Sequence, residues 1–371
     1  MREQFHNLQA LRGVACLLVF LYHLAQSEAG YGLGFNPLKP FKYFGYAGVD
    51  LFFVLSGFII ATTSRPDLGR MDRLPRYLFR RLWRIFPVYW VALIISTFVL
   101  TIPMQNPLFI PGWESEFRDS ILLAPQPPAP RLLPVAWTLS YELMFYIAFA
   151  VLFILPRWTA VPVLIGWGAL VIQTHIDGSY PDNRFADLPV NPFVLEFLLG
   201  AAVAWCPLRL SGWKVGLLVA VALVWCAAWT GLLSPNPHPH ADRLAKSHFL
   251  RAVSFGLPGA LFVLAATAWE RTGGRIRPRW LEPVGDASYS IYLLHIPCMM
   301  IVMWITIQLN WKHGKFEHVV WLILMTAGCI VPGMLFHKYV ERPLLNLAKT
   351  RRPVTPVVVP EAPPIPARRA A

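Results

Sequence analysis

Ten apolar runs decide most of what this chain can fold into. They lie near residues 9–26, 45–63, 85–103, 135–155, 158–174, 191–207, 215–233, 251–268, 287–307 and 318–339. Each is about 17–23 residues, the length at which an α-helix crosses a hydrocarbon core roughly 30 Å thick. Inside lipid a backbone must satisfy its own polar groups, so such runs fold as helices. The chain therefore reads as an all-α integral membrane protein with about ten transmembrane helices. Its charge content agrees. Only 14% of the 371 residues are charged and 56% are hydrophobic, too little polar surface for a soluble globule of this size. The first run has no small-residue cleavage site and reads as a retained span.

The net charge of +13 raises nucleic acid as a partner, and its distribution argues against one. Most of the 33 Lys and Arg residues fall on the side that carries the N-terminus, seven of them arginines between Arg65 and Arg84. The positive-inside rule places both termini in the cytoplasm and makes much of the charge topological. The five cysteines lie in or at the ends of apolar runs without ligand spacing and read as core residues. No metal site is read, and Pro237-His238-Pro239-His240 is taken as a histidine-bearing loop. Residues 1–345 read as one polytopic membrane domain. Residues 346–371, rich in Pro and Arg, read as a disordered cytoplasmic tail.

Ionisable residues inside the runs carry the functional signal, because each is costly to bury in a membrane and usually faces a bundle interior or a watery cavity. Arg12 and His23 share the first run. At about 100° per residue they return to within roughly 20° of each other, about 16 Å apart along the axis. The plain alternative is an arginine snorkelling to the headgroups and a histidine bonded to a backbone carbonyl. Asp50 enters the second run within Gly48-Val49-Asp50-Leu51-Phe52-Phe53-Val54-Leu55-Ser56-Gly57-Phe58. There it is either a carboxylate favoured by the helix N-terminus or a partner for His23. Gly48, Ser56 and Gly57 would let a neighbouring helix approach closely. Glu142 and Glu196 stand at similar depth in the fourth and sixth runs, and His295 lies mid-membrane in the ninth. The seventh and eighth runs read as scaffold, and Trp113 to Leu123 as an amphipathic surface helix. Arg81 and Arg84 stand one turn apart at the entrance of the third run. Their forks suit phosphate oxygens, and a basic loop touching anionic lipid is the other reading.

Taken in order, these motifs resemble the membrane-bound acyltransferase-3 family along nearly the whole chain. The resemblance rests on Arg12 with His23, the Gly48–Phe58 segment, and Arg81-x-x-Arg84 before Ile85-Phe86-Pro87. To these it adds Trp137-Thr138-Leu139-Ser140-Tyr141-Glu142, the stretch Gly285 to His295, and Glu341-Arg342-Pro343. The short layout is similar to exopolysaccharide and O-antigen O-acetyltransferases. Some relatives add an extracytoplasmic esterase-like domain, and here acyl transfer is expected to rest on the membrane domain alone. The resemblance implies a multi-pass protein of a bacterial cytoplasmic (inner) membrane. It would move an acyl group, acetyl above all, from acyl-CoA to a hydroxyl of an extracytoplasmic or lipid-linked glycan. Acetyl-CoA is then a donor substrate, with no permanently bound cofactor. On this reading His23 is the base or an acyl-carrying nucleophile, with Asp50 or Glu142 orienting it. Arg12, Arg81 and Arg84 hold the donor. Trp137, Ser140, Tyr141, Glu196 and His295 serve the acceptor. A polytopic transporter or flippase is the competing class; it would need a midplane site between internal repeats, and none is visible. A non-catalytic sensor, for which His23 is replaceable, is a third.

Overall fold

A computed structural model describes residues 5–28, 36–101, 113–125, 132–231, 243–244, 247–311 and 314–350. Among these there is no strand, and ten helical spans are long and apolar enough to cross a membrane. Counting flanking tight or wide turns, they are α1 (His6–Glu28), α2 (Phe41–Asp67), α3 (Met71–Val99), α4 (Pro134–Phe153) and α5 (Arg157–Asp177). The second half follows as α6 (Arg184–Ala204), α7 (Trp213–Thr230), α8 (His248–Glu270), α9 (Ser288–Gln308) and α10 (Lys315–Ala348). All ten expected spans are present. Histidines 238 and 240 and the tail beyond residue 350 lie outside the described residues.

Small residues set the closest packing. Helix α2 lies against α6 so tightly that a Cβ on Gly57 would sit 2.0 Å from the Phe197 carbonyl oxygen. A Cβ on Gly200 would sit 1.9 Å from that of Val54. Two glycines facing each other thus bring two backbones together, as lipid-embedded helices commonly require. Gly48 does the same toward α1, where a Cβ would stand 2.2 Å from the Ala15 carbonyl oxygen. Aromatic stacking closes the space beside them: Phe145 of α4 stacks on Phe197 of α6 at 4.4 Å and on Trp167 of α5 at 5.6 Å. Helices α5 and α7 lie at the edge, with Ile165, Leu170, Leu217 and Val224 exposed, as residues facing lipid tails would be.

Two spans contain a π-helical turn, Ala252–Gly256 in α8 and His337–Glu341 in α10. The second carries α10 into the helix Arg342–Thr350, across residue 346 where the tail reading begins. Trp83 holds that helix by donating its Nε1–H to the Leu344 carbonyl at 2.9 Å. The surface segment forms the helix Trp113–Ile121, fixed to α3 by Tyr89 Oη on the Ser120 carbonyl (2.7 Å) and Trp90 Nε1 on that of Ile121 (3.0 Å). Successive spans reverse direction, so Arg12, Ser288 and the α3 arginines gather at one basic end. Tyr46, Trp137, Phe193 and His248 stand at the other.

Candidate active site

At the heart of the bundle, α1, α2, α3, α4 and α9 line a hollow. Arg12, Arg84 and Glu142 are its charged groups, beside Ser56, Ser288 and Tyr289. Arg12 donates through Nε and Nη2 to the Ser288 hydroxyl at 3.3 and 3.1 Å. Glu142 Oε1 accepts from Ser56 at 3.2 Å and from Tyr146. No carboxylate pairs with Arg12 or Arg84 among the described residues. A guanidinium is always charged and has five donors, so two of them on one hollow keep capacity for an anion.

A second hollow lies toward the basic end, bordered by Thr63, Asp67, Arg73, Arg76, Arg80 and Arg81. Ile59 and Arg84 border both hollows. The two hollows therefore adjoin, an arginine-rich vestibule beside the interior one. Arg81 is held in the vestibule: Nη2 donates to Thr63 Oγ1 at 2.6 Å, and its plane lies over the rings of Tyr77 and Tyr146 at 5.7 and 5.4 Å. Arg81 and Arg84 thus share the vestibule, and Arg84 alone of the two reaches inward.

His23 does not line either hollow. Tyr292 lines the central one, its ring 6.0 Å from that of Phe52, and shares a hydrogen bond with Thr138 Oγ1 at 2.9 Å. The His295 ring packs 5.9 Å from that of Tyr292. His23 is half-buried, with Nδ1 at 2.9 Å from the Val19 carbonyl and 3.2 Å from His295 Nε2. His295 is buried, and its Nδ1 stands 2.7 Å from the Tyr292 carbonyl. The structure thus places His295 against His23, away from Trp137 and Tyr141.

Neither expected carboxylate orients His23. Glu142 sits with the arginines. Asp50 is wholly buried and engaged through both oxygens by Arg251, which donates from Nε at 3.2 Å and Nη2 at 2.7 Å. A buried carboxylate without a counter-ion is prohibitively costly, and a bidentate guanidinium satisfies it better than one imidazole. The Arg251 plane also covers Tyr46 and Phe193 at 4.9 and 5.0 Å. Helix α8 is therefore more than scaffold. Sequence reading passed over Arg251 because it opens an apolar run without a motif; the available signal was that buried Asp50 needed a cation.

Glu196 is also wholly buried and stands beside the Asp50–Arg251 pair, with Arg251 as its nearby cation. Gly256 makes room for it, since a Cβ there would stand 2.9 Å from Glu196 Cγ. Burial takes it out of direct reach of an acceptor. Ser140 is set aside likewise: it is buried and donates to the Leu123 carbonyl at 2.9 Å, tying α4 to the surface segment. Trp137 and Tyr141 remain half-buried, flanking Phe193 at 5.6 and 5.3 Å.

Ten membrane-length helices with arginines and a glutamate lining a hollow between them define a multi-pass membrane protein. A family model described as an acyltransferase domain matches residues 5–338, and the chain belongs to that family of membrane acyltransferases. It is 26% identical to acyltransferase MdmB of Streptomyces mycarofaciens, over 94% of this chain and 93% of the relative. To the exopolysaccharide production protein ExoZ of Rhizobium meliloti it is 28% identical, over 83% and 92%. To the peptidoglycan O-acetyltransferase OatA of Listeria monocytogenes it is 23% identical, over 92% of this chain and 56% of the relative. No solved structure matches.

Proposed function

We propose that the protein transfers an acyl group, acetyl above all, from cytoplasmic acyl-CoA to a hydroxyl of an extracytoplasmic or lipid-linked glycan, in a bacterial cytoplasmic membrane. One observation carries the donor reading: Arg84 borders both the arginine vestibule and the central hollow. The donor's phosphates rest on Arg81, Arg84 and their neighbours, and the slender pantetheine arm runs inward past Arg12 and Glu142. Similarity to ExoZ, an exopolysaccharide production protein, and to OatA, a peptidoglycan O-acetyltransferase, supports a glycan acceptor. Trp137 and Tyr141, beside Phe193 at the opposite end, offer aromatic faces with a polar handle to a sugar ring.

Chemistry falls to His23. The acceptor oxygen bonds to the thioester carbon, the carbon–sulfur bond breaks, and the hydroxyl proton passes to the imidazole. The imidazolium then gives that proton to the leaving thiolate, which restores neutral His23 as CoA departs. Tyr292 links the two places, lining the hollow and packing against His295, the partner of His23. Family membership favours this reading over a transporter. Membrane vesicles holding wild-type protein or His23→Ala, supplied with acetyl-labelled acetyl-CoA, test it. Label in glycan with wild type alone is expected; equal labelling by both would remove His23 from the mechanism.

A further inference from the structure

We infer that His295 is a positioning residue, accepting the Nδ1–H of His23 and leaving Nε2 as the one nitrogen of that ring turned to chemistry. The inference rests on the acyl-transfer reading for its purpose, and on hydrogen-bond logic for its geometry. Carbonyl oxygens only accept. The Tyr292 carbonyl at 2.7 Å therefore requires a proton on His295 Nδ1, and the neutral ring then carries a lone pair on Nε2. The Val19 carbonyl at 2.9 Å likewise requires a proton on His23 Nδ1. That proton is shared with His295 Nε2 at 3.2 Å. Each end of the pair is pinned by a backbone oxygen, so a single tautomer of each ring satisfies every contact.

The arrangement does the work that a carboxylate does in a hydrolytic triad. Here the orienting acceptor is neutral, which suits a site where another buried anion would need its own cation, as Asp50 does. When Nε2 takes the hydroxyl proton, the charge spreads to Nδ1–H, which faces the His295 lone pair. The Nδ1 proton stays where it is, so no proton is passed on to His295. His295 is itself held, buried at 1% exposure, with Cys329 Sγ donating to its carbonyl at 3.5 Å.

The test uses full-length protein in lipid nanodiscs, with acetyl-CoA as donor and ¹⁵N-labelled histidine as reporter. His295→Leu removes the acceptor; His295→Gln restores one near the Nε2 position. The leucine variant is expected to lose about 100-fold in kcat, the scale of a misaligned catalytic group, at unchanged KM for acetyl-CoA. The glutamine variant is expected to recover most of that loss. Nitrogen shifts of wild type should show His23 protonated at Nδ1 and bare at Nε2, and in His295→Leu a mixture of tautomers. Wild-type turnover in His295→Leu, equal loss in both variants, or a protonated Nε2 in resting wild type would each overturn the inference. The nitrogen spectrum decides the tautomer even if no acetyl transfer is seen, so failure of the acyl-transfer reading is separately visible.

Discussion

Asp50 and Arg251, 201 residues apart in the chain, form a two-pronged ion pair with contacts of 3.2 and 2.7 Å. Removing one partner strands the other charge in a buried setting, which costs about 3–5 kcal/mol. Arg251→Met and Asp50→Leu should each lower the thermal midpoint in detergent sharply. The double variant should be more stable than either single one, because it buries no lone charge. Additive losses in that cycle would mean the two do not act as a pair.

Gly57 is expected to tolerate no side chain. A methyl there would stand 2.0 Å from the Phe197 carbonyl oxygen, and backbone cannot swing aside as a flexible side chain can. Gly57→Ala should cost about 3 kcal/mol or more by overpacking and reduce the folded fraction on size exclusion. Gly216, with nothing near its ideal Cβ, is the control, and Gly216→Ala should fold normally.

Arg84 borders both hollows, so its loss should weaken the donor more than the fold. Losing a charge-assisted hydrogen bond of about 1.5–3 kcal/mol corresponds to roughly 10–100-fold in KM for acetyl-CoA. Arg84→Lys should recover only part of this, since an ammonium lacks the fork. A KM unchanged in Arg84→Ala would place the donor elsewhere.

Ser140 is expected to be structural. Ser140→Ala removes the bond to the Leu123 carbonyl, worth about 1 kcal/mol, and should leave acetyl transfer intact while the thermal midpoint drops a few degrees. Activity lost at an unchanged midpoint would restore it to the acceptor site.

Much of the architecture was legible because membrane insertion is decided by local, one-dimensional quantities. Length and apolarity of a run settle whether it spans, and all ten spans could be read from them. The approach of α2 to its neighbours was readable in Gly48 and Gly57, since a missing side chain has the same consequence wherever the neighbour comes from. That Arg81 and Arg84 belong together was readable from one helical turn.

Partners across the bundle were not. Depth along a helix follows from residue number, and by that measure His23, Asp50, Glu142 and Glu196 look alike. Which residues meet depends on how each helix is rotated and which helices are neighbours. Tertiary structure alone sent Asp50 to Arg251, Glu142 to the arginine-lined hollow with Ser56 and Tyr146, and His23 to His295, 272 residues away. The sequence by itself determined that charges would be buried at these depths. Packing decided which charge each would face, because a buried ion's energy depends on the few ångströms around it and not on its place in the chain.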